Sequence, residues 1–293
     1  MTAARDAAVL RRKYARRYVA GRVGVYVAAI TAALLCAGPF LWAALNSLKL
    51  DTDLIKPTNN PFWFNKPPTL DHIAFLFTDT GFPTFVWNTL WVGLLVVAIT
   101  LALGLPAAYA LARLNRPWAG WMGIGIFLVY LVPPSLLFLS LSRVVVALGL
   151  QDSTWSLVVI YPTITIPVSI WLLMGFFKGV PQDIEEQAMV DGYSRLSAIV
   201  RAVLPLVFPG IVAVVVFAFT LTASEFIYAL AFIAPTDQQT VSTGVPADLV
   251  LGDVFSWQEL LGATVLVAVP IAFVFNLFLD RFVSGFTAGA VKG

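Results

Sequence analysis

VPQDIEEQAMVDGYSRLSAIVRAVLP, from Val180 to Pro205, is a polar, charge-dense island between two apolar runs that are each long enough to cross a bilayer. Lys178, Arg195 and Arg201 and the acids Asp183, Glu185, Glu186 and Asp191 fall in or beside it. A turn between membrane spans needs far fewer residues. The patterning is that of two short helices. Pro181 suits a helix start, and Asp183 is placed to cap the free amides while Glu186, three residues on, reaches back. Acids in the first turn also favour the positive end of the helix dipole. Gly192 supplies the left-handed stop of a helix C-terminus. These signals predict a helix over Ile184–Asp191, about 12 Å long, and a second short helix capped by Ser194 and ending near Pro205. Two readings of the loop stand side by side: a surface that touches a partner in water, and an ordinary amphipathic connection.

Outside this island the chain is apolar. Of its 293 residues 59% are hydrophobic and 12% charged, at a mean hydropathy of +0.87, against about 25% charged in an ordinary soluble domain. Charge-free runs predict an all-α polytopic membrane protein with six transmembrane helices, at about 23–45, 86–111, 119–141, 156–177, 206–233 and 260–280. The predicted organisation is a basic segment at 1–22, a membrane domain at 23–281 with an outer loop at 46–85 and a charged loop at 178–205, and a tail at 282–293. Fourteen of the eighteen Lys and Arg residues lie on segments that share a side with the N-terminus, which places both termini and Val180–Pro205 in the cytoplasm.

Arg5, Arg11, Arg12, Lys13, Arg16, Arg17 and Arg22 precede an uncharged run from Val23 to Leu48. That run is too long for a signal-peptide core, so it reads as a retained first span with a basic segment along the anionic leaflet. The outer loop Asn46–Phe85 is rich in Pro, Asn and aromatics, and Trp63 reads as an interfacial anchor ahead of a sugar platform. The loop Ala234–Glu259 carries Asp237, Asp248, Asp253 and Glu259 with no basic residue, a candidate surface for a docking protein. Within the spans, Glu225 is the exception. An ionisable group at membrane depth faces a water-filled path, relays protons or makes a structural hydrogen bond. Ser224 and Tyr228 are its neighbours on a candidate polar face. No second span carries a matching acid, His or Lys, which argues against a proton relay. A single cysteine, Cys36, and a single histidine, His72, leave no cysteine cluster and exclude the usual zinc and general-base constellations. No G-x-x-x-x-G-K-[ST] occurs, so the chain has no phosphate-binding loop of its own.

The charged loop resembles the E-A-A-x-x-x-G-x(9)-I-x-L-P signature of membrane subunits of binding-protein-dependent ABC importers. Glu186, Ala188, Asp191, Gly192, Leu204 and Pro205 fit it, while Gln187 replaces an Ala and Ala202 the Ile. In that family the loop is a coupling helix seated in a groove of the ATPase subunit, which implies ATPase-coupling roles for Asp183, Glu186, Ala188, Asp191, Gly192, Leu204 and Pro205. The likeness extends over about residues 25–293. WNTL at Trp87–Leu90, LGLPAAYALARL at Leu103–Leu114, TASEFIYAL at Thr222–Leu230 and the tail GFTAGAVKG at Gly285–Gly293 resemble MalG-type permease subunits of carbohydrate ABC importers. In the third of these, Ala223 and Ser224 stand where the family has Trp and Asn. The resemblance implies the type I ABC-importer (MetI-like) fold in a bacterial plasma membrane. It also implies a second homologous permease subunit, two ATP-binding subunits and an extracytoplasmic solute-binding protein. Candidate pathway residues are Glu225, Ser224, Tyr228 and Asn88, and the tail, with Thr287 and Lys292, is expected to reach the ATPase pair. No cofactor or metal is implied.

The expected function is that of a permease subunit, not an enzyme, in an ATP-driven sugar importer. ATPase closure would move the Ile184–Asp191 helix as a lever and rock spans 3 to 5 between inward-open and outward-open states. A polyol or glycerol-phosphate-like solute is the alternative within this class. A secondary carrier or channel is the alternative from another class. It predicts several intramembrane charges or inverted repeats, and has no use for the cytoplasmic loop.

Overall fold

A computed structural model describes the backbone of residues 2–54, 56–113 and 117–290, and the side chains of 18, 19, 21–54, 56–113 and 118–278. The helices run in order α1 (Thr2–Ser47), α2 (Asp51–Leu54), α3 (Asp71–Thr78), α4 (Phe82–Arg113), α5 (Pro117–Tyr130), α6 (Pro134–Ala147), α7 (Trp155–Ile160) and α8 (Pro162–Gly179). They continue as α9 (Gln182–Val190), α10 (Arg195–Ala198), α11 (Leu204–Ser224), α12 (Ile227–Phe232), α13 (Val241–Leu249) and α14 (Trp257–Ala290). A two-stranded antiparallel ribbon, β1 (Val250–Leu251) with β2 (Val254–Phe255), turns the chain into α14. Helix is what an apolar chain must form here. Lipid offers no partner for backbone N–H and C=O groups, so each must be satisfied within its own segment.

Among the described residues five helical segments are long and apolar enough to span a membrane: Gly21–Ser47, Phe82–Arg113, Trp155–Gly179, Arg195–Ser224 and Trp257–Phe278. The third predicted span is not one rod. α5 and α6 meet at 90° across Leu131–Pro133, and the pair makes a sixth span if taken together. Pro133 and Pro134 explain the bend: Pro133 holds an extended backbone, and Pro134 starts the next helix where a missing N–H costs nothing. The fifth predicted span, 206–233, is likewise two helices, α11 and α12, parted at Glu225. The basic segment is helical in backbone from Thr2 and continuous with the first span, and its side chains up to Arg17 lie outside the described residues.

The centre of the bundle is α4 against α8, with α11 packed on both. Its seam is small and polar as well as apolar. Tyr161, Thr165 and Ser169 are fully buried at helical spacing, and Thr165 Oγ1 lies 2.7 Å from Thr100 Oγ1 of α4. Between helices in lipid, small residues allow close approach and hydroxyls link across. Gly210 of α11 shows how close. A Cβ there would stand 2.5 Å from the Cγ of Phe176 on α8.

At the end of the bundle opposite α9, residues 48–54 and 56–69 form a tight knot. Lys49 is 1% exposed, and its Nζ donates to the carbonyls of Asn60 at 3.1 Å and Pro61 at 3.0 Å. Asp53 is 2% exposed and accepts from Asn59 Nδ2 at 2.8 Å and from Asn65 N at 3.0 Å. His72 Nδ1 lies 2.8 Å from Glu259 Oε1, tying α3 to the start of α14. Trp63 stands well exposed at the tip of the knot. Burial raises the Asp53 carboxyl, but the Asn65 amide and side chain, the Lys49 charge and the Lys66 amide outweigh it and hold it below the usual aspartate range.

Two outcomes follow from this packing. Gly210→Ala is expected to lower stability by about 1–3 kcal/mol through overpacking, read as a lower thermal midpoint in detergent. The folded Asp53 binds its proton less readily than an unfolded one. Its contribution to the knot is therefore complete above the ordinary aspartate pKa of about 4 and is lost as pH falls below it. Protection factors of the amides in 49–54 and 56–66, exchange rates corrected for the intrinsic pH dependence, should fall in acid in the native chain, and in Asp53→Asn should be lower at neutral pH and show no such fall.

Candidate functional site

The α9 end of the bundle is built by three short devices. Pro181 takes the N-cap position with an extended backbone (φ −57°, ψ 140°), so the helix starts at Gln182, two residues earlier than predicted. Asp183 does not cap it, and no side chain does. Lying inside the first turn, its carboxylate acts on the helix dipole and not as a cap. At the other end Gly192 adopts φ +93°, Tyr193 N donates to Ala188 O at 3.1 Å and Gly192 N to Met189 O at 3.1 Å. This pair of bonds is a Schellman stop. Ser194 then caps α10 as predicted, its Oγ accepting from Ser197 N at 3.3 Å. The second helix does not end near Pro205. It widens into one π-helical turn, Ile199–Val203, and runs straight into α11 with Pro205 in the first turn.

α9 has two faces. Inward it buries Glu185 and Ala188, with Ile184 partly covered against Val180, Val203 and their neighbours. Glu185, 4% exposed, accepts a short hydrogen bond from Tyr109 Oη of α4. Its two oxygens also lie 3.4 Å from Arg113 Nε of α4 and 3.4 Å from Arg195 Nε of α10. Arg113 Nη1 donates to Val180 O at 2.9 Å, pinning the joint between α8 and α9. Outward lie Asp183, Glu186, Gln187 and Asp191, all exposed, beside Val190 at 87% exposure, Leu196 and Tyr193. Leu204 is partly buried on the bundle and Pro205 is exposed next to it. The loop signature picks out Glu186, on the outer face; it passes over Glu185, Tyr109 and Arg113, which fix the helix. The available signal was the spacing of Ile184, Glu185 and Ala188 on one side of a helix.

The pathway candidates lie elsewhere and do not form one cluster. Glu225 sits at the break after α11, extended at φ −70°, ψ 128°. Its carboxylate accepts from Tyr228 N at 2.9 Å and Ala229 N at 3.2 Å, satisfying the first amides of α12. Ser242 Oγ donates to its carbonyl at 2.6 Å. The hydroxyl of the fully buried Tyr161 makes no hydrogen bond among the described residues. The buried Tyr228 hydroxyl has no hydrogen-bond partner among the described residues. Ser224 bonds back to Thr220 O at 2.8 Å. Asn88 holds the loop before α13: its Nδ2 donates to Asp237 O at 2.9 Å and Gln239 O at 2.8 Å. The side chain of Thr287 and the whole of Lys292 lie outside the described residues.

Five spans among the described residues, or six with the bent pair α5–α6 taken as one, and a short helix packed across one end describe a helical, membrane-embedded subunit. Over residues 64–288 the chain matches the family of binding-protein-dependent transport system inner membrane components, and it belongs to that family. It is 35% identical over 257 residues to the sulfoquinovosyl glycerol transport system permease protein SmoH of Agrobacterium fabrum, covering 87% of this chain and 88% of that one. It is 30% identical to the diacetylchitobiose uptake system permease protein DasC of Streptomyces coelicolor, covering 95% of this chain and 100% of that one. The trehalose/maltose transport system permease protein MalG of Thermococcus litoralis is 29% identical, over 95% of this chain and 99% of its own. The fold also matches a chain in the crystal structure of a bacterial ABC transporter involved in the import of the acidic polysaccharide alginate. That match has a TM-score of 0.73 at 18% identity, over 90% of this chain and 96% of that one. The chain thus has the MetI-like permease fold and is a multi-pass transport component of a binding-protein-dependent system, not an enzyme.

The Schellman stop carries a test. A Cβ at Gly192 meets nothing within 4 Å, so the cost of a side chain there is purely that of the left-handed backbone. Gly192→Ala is expected to lose about 1–2 kcal/mol locally, read as roughly tenfold faster hydrogen exchange at residues 192–193. Gly192→Asn should lose clearly less.

Proposed function

We propose that the chain is one half of the translocation pathway of an ATP-driven carbohydrate importer in a plasma membrane, paired with a second, homologous permease. In this reading both termini are cytoplasmic, two ATP-binding subunits lie beneath α9, and a sugar-binding protein docks at the opposite end. The carbohydrate class is supported by the names of the similar proteins, which transport a sulfoquinovosyl glycoside, a chitobiose derivative and trehalose or maltose. The orientation is supported by the excess of Lys and Arg on the N-terminal side.

The observation that carries the reading is the outer face of α9. Glu186 and Asp183 stand exposed, and the same short loop also exposes the apolar side chains of Val190, Leu196 and Tyr193 at the end of the bundle. Apolar centres with polar rims are how partner surfaces are built. Closure of the ATPases moves α9, and the helices joined to it, α8 and α11, tilt with it. On the pathway, Glu225 meets solute hydroxyls at the break between α11 and α12, and Tyr228, whose hydroxyl is buried in this structure, meets them when the break opens. A discontinuous helix that opens polar groups inside a bundle supports that placement. Ser224, turned back on its own helix, contributes less, and Asn88 serves the loop before α13. The tail with Thr287 and Lys292 is assigned to contact with the ATPase pair.

The test is copurification followed by a charge reversal. The native chain is expected to bring down an ATP-binding subunit. Glu186→Lys should weaken that association about tenfold or more and abolish ATP-dependent uptake of labelled trehalose or maltose into vesicles, while the chain still inserts. An Ala substitution at Trp63, at the other end, should leave the ATPase bound. Normal ATPase binding by Glu186→Lys would remove α9 from the docking role.

A further inference from the structure

The exposed face of α9 accounts for contact with a partner, but not for how a nine-residue helix passes load into the membrane. Its covalent links are weak joints. Before it the chain is extended at Val180 (φ −89°, ψ 120°) and Pro181, and after it Gly192 turns left-handed. A helix held only by such joints pivots when pushed. We propose that Glu185 is a positioning residue, a strut that ties α9 to the second span, α4, so that displacement of α9 is delivered directly to the centre of the bundle. This rests on the docking role of α9 but concerns contacts within the chain.

The geometry is specific. One carboxylate meets Tyr109 and Arg113, one helical turn apart on α4, and Arg195 on α10. Arg113 also holds the Val180 carbonyl, so the same guanidinium locks the joint at the start of α9. The Tyr109 ring lies edge-on to Phe177 of α8, 5.6 Å between centroids, which brings α8 into the same cluster. The pairs are unequal. Arg195 is 69% exposed and its attraction is screened by water. Arg113 has a side chain only 7% exposed, with Nε and Nη2 making no hydrogen bond among the described residues. Glu185 is its counter-charge, and removing it strands a cation away from water. The ion pair to Arg113 and the hydrogen bond from Tyr109 therefore give α9 directional contacts with α4 through a single carboxylate.

The test is a distance within the full-length chain. With Cys36 replaced by Ser, spin labels are placed at Gln182 on α9 and at Ala110 on α4, both exposed. In the otherwise native chain the distance distribution is expected to be narrow, and to shift by less than about 2 Å between the nucleotide-free and vanadate-trapped complex. In Glu185→Gln and Tyr109→Phe it should broaden, and shift by more than that on trapping. ATPase should still copurify, because neither residue lies on the outer face. A native distance that changes with nucleotide, or variants that melt earlier yet keep the narrow and constant distance, would reduce Glu185 to a residue of fold stability and overturn the strut. Loss of the ATPase from Glu185→Gln would overturn it too, by moving the residue's role to docking. Measured in the chain without partners, the native-versus-variant width tests the tie alone. A failure there is separable from a failure of the native chain to bind an ATPase.

Discussion

Wherever a helix stops inside an apolar bundle, the freed backbone groups must find partners in the protein, because the surroundings supply none. Several of this molecule's polar side chains meet that requirement. Glu225 closes the start of α12, Asn88 and Thr89 hold the carbonyls and amide of the loop that enters α13, and Asp248 receives the amide of Gly81 ahead of α4. Thr154 and Asp152 anchor the same region from the other side, through Gln238 and Ala234. The breaks are therefore stable features with fixed geometry. They give the end of the bundle away from α9 its broken helices in place of plain spans.

That requirement separates what could be read in the sequence from what could not. Runs without charge located five long spans, because hydropathy averages over many residues and tolerates errors at the ends. It located neither break within a run. At Pro133–Pro134 the composition stays apolar while the backbone turns through 90°. At Glu225 the acid was visible, but the sequence does not tell a carboxylate in mid-helix from one that ends a helix by bonding to the amides of the next. Asn88 illustrates the same ambiguity. A polar residue near a span end is equally a solute contact or a loop anchor until the carbonyls of Asp237 and Gln239 are placed beside it.

The α9 end was legible in its local chemistry and opaque in its long-range chemistry. Gly192 and Ser194 act through bonds to residues three to five positions away, so their roles follow from spacing alone. Glu185 acts through Tyr109 and Arg113, more than seventy positions earlier, and nothing in a local pattern announces that meeting. Adjacent glutamates thus divide the work: Glu186 faces water and the motif names it, whereas Glu185 faces the bundle and is named only by its contacts.

The π-helical turn at Ile199–Val203 sets the angular phase of this end of the molecule. A wide turn accommodates one extra residue in an otherwise continuous helix, and each residue of an α-helix rotates its neighbours by about 100°. Deleting one position there would let a plain α-helix form without lengthening any loop. It would also swing α10 around its axis and carry the guanidinium of Arg195 away from Glu185, while Val203 and Val207 stayed seated. The surplus residue is thus the key that clocks the polar cluster to the apolar rod beneath it, and single-residue indels should be far less welcome in this turn than in the exposed turn at Asp191–Tyr193.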